Sequence, residues 1–389
     1  MNRATTILIA ARNAAATIGR AVRSARAQGD YPILLVDDHS SDATAEIARR
    51  EVPDIAVTRP PHHGALGFTR QFGLEQLRTP YALWLDADDE LLPGRTDRLL
   101  RAMAETGADL AFDEIELVDG VTGMSKGVCP IPSFLDRPPY LYRLFERNHL
   151  PGVGQVAFRT ESARSVGYDR ELHGPEDIDF VLRALMSGLR ATLVREVGYR
   201  MYAYPTSVSR QLDTQRAMYR QALRKHGYSD VRRLLDRVGS SPRVTVWTLA
   251  SLALFREEFD TALALVDEAA GLLDDLHAVD EPDGPCPMPE GWRVAFYRGT
   301  LHALRGNFTH ARRHLLHAQA LGAEPDSANN LGVALAAAGH LAGARQFFRQ
   351  ALCARPDYLD ARLNLQSSSP DRLTRHPLRR VRARSDYAA

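Results

Sequence analysis

Along the first third of the chain, short runs of apolar residues alternate with stretches in which apolar residues recur every three or four positions. These two patterns predict buried strands and amphipathic helices. The predicted strands cover 5–10, 32–36, 55–58 and 81–85, and the predicted helices cover 15–28 and 41–51. Alternating strands and helices are typical of a mostly parallel sheet with helices on both faces. We therefore expect an α/β domain, which we place at residues 1–215.

Polar loops follow these strands at the sheet edge where open α/β sheets bind ligands. In YALWLDADDELL, residues 81–92, an apolar run ends abruptly in Asp86, Asp88 and Asp89. Three carboxylates in four positions repel one another unless a cation or hydrogen-bond donors hold them. A divalent metal that binds a phosphorylated ligand is one interpretation, and an acidic turn that caps the next helix is the other. These residues alone leave both open.

A second acidic loop, ILLVDDHSSDAT, places Asp37 and Asp38 directly behind another apolar run. One aspartate before a helix is commonly a cap or closes a turn. The other could accept a hydrogen bond from a base or ribose that lies across the sheet edge.

Four segments, taken in order, resemble the family 2 glycosyltransferases of GT-A fold. They are TTILIAARNAAATIGRAVRSARAQ, LLVDDHSSDAT, HHGALGFTRQFGLEQLRTPYALWLDADDELL and GQVAFRTESARSVGYDRELHGPEDIDFVLRAL. The third looks like the stretch in which a nucleotide-contacting arginine precedes the metal-binding DxD motif. The fourth looks like the acceptor strand and the ED motif that opens a helix.

The resemblance implies an inverting transfer of sugar from a nucleoside-diphosphate sugar to an acceptor hydroxyl. It implies that Asp177 is the general base and that Asp88 binds Mg²⁺ or Mn²⁺, which would stabilise the leaving diphosphate. The donor contacts that it implies are Ala10, Arg12, Asp38, Arg70, Asp86 and Ala87, and contacts to acceptor or diphosphate are Glu176, Tyr204 and Ser207. Without the family, the acids at 176–179 are better explained as the first turn of a helix, where they favour the positive end of the dipole.

Some positions depart from the family pattern. Ala10, Ala11, Arg12 and Asn13 stand where the family usually has a Pro-x-aromatic-Asn loop, so uracil as the base stays open. The planar guanidinium of Arg12 could still stack on a base. Tyr204 stands where many members place a histidine near the metal. Since tyrosine is a poor Mg²⁺ ligand at neutral pH, coordination is expected to depend on Asp88, the diphosphate and water.

Beyond residue 215 the pattern is helical throughout. We expect a helical connector at 216–242 and repeats at 243–366, where Gly299 and Gly332 are offset by 33 positions, as are Leu315 and Phe348. These repeats resemble tetratricopeptide repeats, whose small residues let helices pack closely. They are expected to bind an acceptor or a protein partner, to form a homodimer, or only to stabilise the enzyme.

The chain ends in an Arg-rich stretch, 367–389, for which disorder is expected. Such a tail could bring the enzyme close to anionic lipid, so we expect at most peripheral contact with a membrane.

The amino-acid composition limits the kinds of partner that the protein is expected to bind. With 44% hydrophobic and 25% charged residues and a net charge of +1, the chain is typical of a soluble globular protein and has no global field that would gather nucleic acid. Its three cysteines lack the spacing of a zinc site or a disulfide framework, which favours a cytoplasmic location. The acceptor stays open among glycans, lipid-linked and small molecules.

Two other classes of protein stay open. A nucleotidyltransferase could use the paired aspartates, although no Gly-rich, Lys-bearing phosphate loop occurs near residue 10. A non-catalytic nucleotide-sugar-binding or scaffold protein could act through the helical repeats.

Overall fold

The computed structural model describes residues 4–136, 144–145, 148–205, 212–273 and 288–375. Among them, 4–136 and 148–230 belong to one compact unit, and 144–145 and 231–375 belong to a second. The division falls inside the stretch 216–242 that the sequence assigns to a helical connector.

A mixed sheet forms the centre of the first unit. Its strands are β1 (Thr5–Ala11), β2 (Ile33–Asp37), β3 (Ala56–Thr58), β4 (Tyr81–Asp86), β5 (Glu90–Leu91), β6 (Leu110–Asp119), β7 (Ser125–Cys129), β8 (Ala157–Arg159) and β9 (Ala191–Ala203). Within the described residues the sheet order is β3-β2-β1-β4-β8-β6-β9-β5, with β7 paired to β6. The strands from β3 to β4 are parallel, and β8 is antiparallel to both of its neighbours.

Helices cover this sheet. They are α1 (Ile18–Arg26), α2 (Thr44–Glu51), α3 (Leu66–Gln76), α4 (Arg95–Thr106), α5 (Thr160–Val166), α6 (Glu176–Met186) and α7 (Leu212–Leu223), while α8 (Tyr228–Arg237) spans the division between the units. The order of strands and helices confirms the α/β class expected from the apolar pattern.

Helix α1 shows how closely the pattern anticipates local structure. Ile18, Val22 and Ala25, which form the apolar stripe of this helix, are completely buried. The helix begins at Ile18 rather than at residue 15, because Ala14 and Ala15 donate their main-chain N–H groups to Thr44 and Asp42 in the neighbouring loop. Those hydrogen bonds hold the segment as a turn.

Helix α3 lies very close to its neighbours because of two glycines. A Cβ atom at Gly67 would overlap the main-chain oxygen of Asp169, and one at Gly73 would lie 3.0 Å from Val36 Cγ2 and 3.2 Å from Trp84. Since a side chain at either position would push the helix away, the glycines bring Arg70 up to the end of β4.

The second unit is helical. Its helices are α9 (Pro242–Arg256), α10 (Phe259–Gly271), α11 (Glu290–Leu304), α12 (Phe308–Leu321), α13 (Pro325–Ala337), α14 (Leu341–Ala354) and α15 (Leu359–Gln366). Consecutive helices pack as the pairs α9–α10, α11–α12 and α13–α14.

The 33-residue offset has a counterpart in packing. A Cβ at Gly299 would lie 2.5 Å from Leu315, and a Cβ at Gly332 would lie 2.5 Å from Phe348. Each glycine therefore lets its helix approach the next one in the same way. The tetratricopeptide assignment itself stays a prediction.

The part of the chain assigned to a disordered tail begins with a packed segment. Thr374 is buried and hydrogen-bonded to α13. Residues 376–389 lie outside the described ranges. Across those ranges, none of the helices combines the length and the apolar character that a membrane span requires.

A candidate active site at the carboxyl ends of the strands

A cleft of about 440 Å³ opens where β1 and β4 end. It forms there because the two strands are parallel neighbours whose register pairs Ala10 with Asp86. Of the residues expected to contact the donor or metal, the cleft is lined by Ala10, Arg12, Asp86, Ala87, Asp88 and Tyr204. The segments that end β1 and β4, far apart in the sequence, thus meet where a nucleotide sugar is expected to bind.

The three aspartates after β4 have different environments. Asp86 accepts hydrogen bonds from Arg70 Nη2 at 3.1 Å and from the side-chain amide of Gln155. Asp89 is buried and accepts hydrogen bonds from the Tyr199 hydroxyl at 2.9 Å and the Tyr202 main-chain N–H at 2.8 Å. Asp86 is therefore oriented at the edge of the cleft, and Asp89 ties the acidic turn to β9.

Among the described residues, Asp88 receives fewer hydrogen bonds than Asp86 or Asp89 does. No side chain among the described residues donates a hydrogen bond to its carboxylate, and burial together with the Asp86 charge raises its pKa to about 6. The nearby Arg20 instead donates to the Asp88 main-chain oxygen and, at 3.1 Å, to the Tyr204 hydroxyl. A half-buried carboxylate beside a second one has the electrostatics of a cation site.

The donor set fits a hard divalent ion only in part. Within the described ranges, no group of three or more His, Cys, Asp or Glu side chains could hold a metal ion. Asp88 offers the hard oxygen that Mg²⁺ and Mn²⁺ prefer, so oxygens of a bound diphosphate and water would complete the coordination.

Arg70 joins the acidic turn to the start of α6. Only 3% of the residue is exposed. Its Nη1 donates to the Gly154 main-chain oxygen at 2.6 Å, its Nη2 donates to Asp86, and its Nε lies 3.3 Å from Glu176 Oε1. The predicted donor contact is thus a buried link between the two acidic motifs.

Asp177 lies at this junction. A Cβ at Gly154 would be 3.0 Å from Asp177 Oδ2 and 3.3 Å from Arg70 Nη2, so both side chains lie close to this glycine. Burial raises the pKa of Asp177, and the Arg70 charge opposes this rise. Burial and the neighbouring Asp177 raise the pKa of the more deeply buried Glu176 to about 7. Of the pair, Asp177 is the more accessible to a substrate.

The two aspartates in the loop after β2 have different hydrogen-bond partners. Asp37 accepts hydrogen bonds from the Ser40 main-chain N–H at 3.0 Å and from Arg59 Nη2 at 2.7 Å, so it closes the turn. Although burial acts to raise the pKa of Asp37, these donors hold it below its usual value.

Asp38 is part of a chain of polar contacts with Arg12. His63 Nδ1 lies 2.7 Å from Asp38 Oδ2, and Arg12 Nη1 lies 2.6 Å from His63 Nε2. Since arginine can only donate, His63 Nε2 accepts and its Nδ1–H donates to Asp38. Asp38 Oδ1 is buried and, within the described part of the chain, has no hydrogen-bond partner. Asp38 is not among the residues that line the cleft, so its contact with the donor stays a prediction.

The last two predicted contacts differ in what the structure describes. The ring of Tyr204 packs against Gly120, where a Cβ would lie 2.6 Å from the ring. Ser207 lies outside the described residues.

Arg20, Gly154 and Gln155 contact the predicted site residues, although the sequence did not point to them. Gly154 and Gln155 lie just before β8 in the segment that resembles the acceptor strand. In the sequence, their position just before a predicted strand was the only feature that could have indicated a role for these two residues. Their contacts with Asp177 and Asp86 join residues that are far apart in sequence, so periodicity could not reveal them.

Comparison with known proteins agrees with this arrangement. Residues 6–160 match the family model described as "Glycosyl transferase family 2", and this range includes the cleft residues from Ala10 to Asp88. The likeness to this family therefore covers the part of the first unit that carries most of the cleft residues.

Two similar curated proteins come from Rhizobium meliloti. The succinoglycan biosynthesis protein ExoU is 29% identical over 221 residues, which cover 52% of this chain and 63% of the relative. The succinoglycan biosynthesis protein ExoO is 28% identical over 223 residues, which cover 53% and 63%. The matched region thus spans less than two thirds of either relative.

Among solved structures, Staphylococcus aureus TarS 1-349 in complex with UDP-GlcNAc superimposes with a TM-score of 0.51 at 14% identity, covering 81% of this chain and 91% of that one. At this identity the likeness concerns the fold. The expected architecture, a GT-A domain followed by a helical region, is confirmed.

Proposed function

We propose that the protein is an inverting, metal-assisted glycosyltransferase that moves a sugar from a nucleoside-diphosphate sugar to a hydroxyl group of a glycan acceptor. The observation that carries this proposal is the junction at Arg70, which joins Asp86 of the acidic turn to Glu176 at the start of α6. The motifs expected to act on the donor and on the acceptor therefore lie at one site.

The donor side of the proposal rests on the cleft. Its volume of about 440 Å³ is in the range of small-molecule sites. Arg12 lines the cleft with a planar guanidinium, and Asp38, which Arg12 contacts through His63, is the proposed acceptor of a hydrogen bond from the base. TarS was crystallised with UDP-GlcNAc, which makes that donor the first to test, while the residues of this chain leave the base open.

Asp88 is the proposed metal ligand because Asp86 and Asp89 are already held by protein donors. When bound there, Mg²⁺ or Mn²⁺ would supply Lewis-acid stabilisation of the negative charge that develops on the diphosphate. Arg20 holds the loop in place through the Asp88 main-chain oxygen and orients Tyr204 beside it.

Asp177 is the proposed general base. It accepts a proton from the acceptor hydroxyl as the oxygen attacks the anomeric carbon. Burial raises the pKa of Asp177 and so makes it a stronger base than a solvated aspartate. The Arg70 charge opposes this rise and helps to keep Asp177 ionised at neutral pH. Attack on the face opposite the departing diphosphate inverts the configuration, and positioning of the two reactants supplies much of the rate.

The acceptor class is inferred from the relatives. ExoU and ExoO are both succinoglycan biosynthesis proteins, so a growing polysaccharide unit is the first acceptor to test. Free and lipid-linked forms of that unit should be tried separately.

A donor panel tests the proposal. Nucleoside-diphosphate sugars are added with Mg²⁺ or Mn²⁺, and both the shift in Tm and the slow release of nucleoside diphosphate are measured. We expect one donor to raise Tm and to be hydrolysed only with metal, and Asp88→Asn to lose both effects. Asp89→Asn is the matched control, which should lower stability but keep metal-dependent donor binding.

Three results would contradict the proposal. Equal donor binding by the wild type and Asp88→Asn would remove the metal role. Binding without turnover for any acceptor would favour a non-catalytic sugar-nucleotide-binding protein. Formation of a nucleoside-diphosphate sugar and pyrophosphate from a nucleoside triphosphate and a sugar 1-phosphate would indicate a nucleotidyltransferase.

A further inference from the structure

In the helical unit, asparagine side chains hold the main chain of a short segment near the end of the described chain. Asn364 donates Nδ2 to the Arg372 main-chain oxygen at 2.9 Å and accepts from the Arg372 N–H at 3.0 Å. Asn330 makes the same pair of bonds with Thr374, both at 2.8 Å. Each amide therefore satisfies both main-chain groups of one residue.

The two held residues are two positions apart. In an extended chain, the N–H and C=O groups of alternate residues face the same side, as they do when one strand pairs with another. The asparagines thus recognise residues 372–374 as an extended chain, with side-chain amides in place of a neighbouring strand. Contacts of this kind are independent of the side chains of the bound segment.

The amides are held in position before they meet the segment. Asn364 Nδ2 donates to Asn329 Oδ1 at 2.9 Å, and Asn330 Nδ2 donates to Thr300 Oγ1 at 2.9 Å. Asn329 Nδ2 reaches the Arg372 oxygen at 2.9 Å. The three asparagines are almost completely buried. A connected network of this type fixes the orientation of each amide.

Side chains of the segment add selectivity. Leu373 packs against the buried Val333 and Phe348. The Thr374 hydroxyl contacts the Tyr358 hydroxyl and lies 3.2 Å from Asp360 Oδ2, and Arg375 Nη1 donates to Glu257 at 2.8 Å. The site therefore suits an aliphatic residue, a residue with a hydroxyl group and an arginine in succession.

The polar lining bears on whether the segment can exchange. An apolar surface left open would have to meet water, whereas exposed asparagine amides are readily hydrated. Because the lining at residues 372 and 374 consists of amides, the site is compatible with water when it is vacant. This property suits an exchangeable occupant.

We propose that the asparagine site, formed by Asn329, Asn330 and Asn364, binds extended polypeptide segments. The chain's own residues 372–375 fill it in the structure, and a partner polypeptide with an aliphatic–hydroxyl–basic sequence binds by displacing them. This inference is independent of the proposed transferase activity.

A labelled peptide with the sequence of residues 369–377 tests the proposal on the full chain. In a release variant, Leu373→Asp combined with Thr374→Pro removes the apolar contact and the N–H donor of the internal competitor. We expect the release variant to bind the peptide at least tenfold more tightly than the wild type does. Adding Asn330→Ala and Asn364→Ala should reduce that binding at least tenfold, while Asn307→Ala, at an exposed asparagine of the same unit, should not.

A second peptide isolates main-chain recognition. It carries a methyl group on the nitrogen of the threonine that corresponds to Thr374, so every side chain is kept and one donor to Asn330 is lost. We expect at least a tenfold loss of affinity. Equal binding of the two peptides, or a folded release variant that binds neither, would overturn the proposal and leave the segment as a structural strap.

Hydrogen exchange keeps the test decisive if the release variant does not fold. Millimolar unlabelled peptide is added to the wild-type chain, and exchange is followed in peptic fragments that contain residues 372–375. Accelerated exchange in this segment supports displacement. Unchanged exchange at saturating peptide overturns it.

Discussion

Both units bury polar side chains, but the cluster around Arg70 consists of charged groups and the asparagine site consists of amides. Around Arg70, the carboxylates of Asp86 and Glu176 share one guanidinium, and burial raises the pKa of Glu176 to about 7. At the asparagine site, Asn330 and Asn364 each satisfy both main-chain groups of one residue.

The difference shows what each cluster can do. Buried carboxylates that outnumber their cations are costly, and the cost falls when a metal, a proton or a substrate arrives. Buried amides with all their partners in place cost little and do not titrate. The charged cluster is suited to chemistry and the neutral one to holding a chain.

The largest expected effect is at Asp177. Replacing the proposed base by asparagine removes the proton acceptor without changing shape, so kcat should fall by about 10²–10⁴-fold with little change in donor binding. The measurement is steady-state nucleoside-diphosphate release with acceptor present.

Asp179→Asn is the matched control on the same helix turn. Asp179 is completely buried and paired with Arg183 at 2.7 Å and Lys225 at 2.9 Å, so this change should lower Tm and spare kcat. Full activity in Asp177→Asn would show that Asp177 of the charged cluster is not the catalytic base.

Arg70→Gln should affect stability and catalysis together. Removing one partner of a buried ion pair costs about 3–5 kcal/mol. The Arg70 charge also lowers the pKa of Asp177, so its loss should move the acid limb of the rate profile to higher pH.

Arg95→Gln separates these two effects. Arg95 is equally buried and pairs with Asp113 at 2.7 Å. It should destabilise the fold to a similar degree and leave the acid limb in place. An unshifted acid limb in Arg70→Gln would contradict the proposed effect of the Arg70 charge on Asp177.

The wild-type rate should itself depend on pH. Because Asp177 must be ionised to accept a proton and its folded pKa is raised, activity is lost as pH falls through that pKa and is complete above it. We expect a change of about tenfold per pH unit on the acid limb. The profile is measured from about pH 8 down to the lowest pH at which the fold stays intact, at saturating metal and donor. An acid limb at or below the pKa of a solvated aspartate would exclude a base with a raised pKa.

In the helical unit, Gly332→Ala should cost about 1–3 kcal/mol, because the new methyl group would lie 2.5 Å from the ring of Phe348. Gly343→Ala, also within a helix, meets nothing closer than Leu335 at 3.8 Å and should stabilise by about 0.4–1 kcal/mol. Chemical denaturation of both variants measures the difference. Equal effects would show that the glycine offset does not reflect close packing.

The smallest effect concerns His314, which stacks on His302 with ring centroids 5.5 Å apart. Burial and the nearby positive groups lower the pKa of His314 to about 4. Since the unfolded chain takes up this proton first, stability should fall as pH drops from about 6.5 to 4. After allowance for solvent screening we expect roughly 1 kcal/mol or less.

His314→Gln should flatten this pH dependence of unfolding, and His340→Gln, at an exposed position, should not. An unchanged slope in His314→Gln would show that the charged cluster of the first unit governs the response.

The sequence anticipated most of the first unit. Apolar periods predicted the early strands and helices to within a few residues, because burial of one face is a local property of the chain. The segments around Asp38, Asp86 and Asp177 indicated a glycosyltransferase before any contact was known. The same periods missed the packing of residues 367–375, whose contacts come from side chains on other helices.

The alternation of elements, the acidic loops at strand ends and the repeated glycines were determined by the sequence alone. Only the tertiary structure decided that other residues donate hydrogen bonds to Asp86 and Asp89, while no described side chain donates to the Asp88 carboxylate. It also decided that Arg70 joins the two motifs. It also decided that asparagines hold residues 372 and 374. The physical reason is that these hydrogen bonds and ion pairs connect residues far apart in the chain, where no local pattern records which partners will meet.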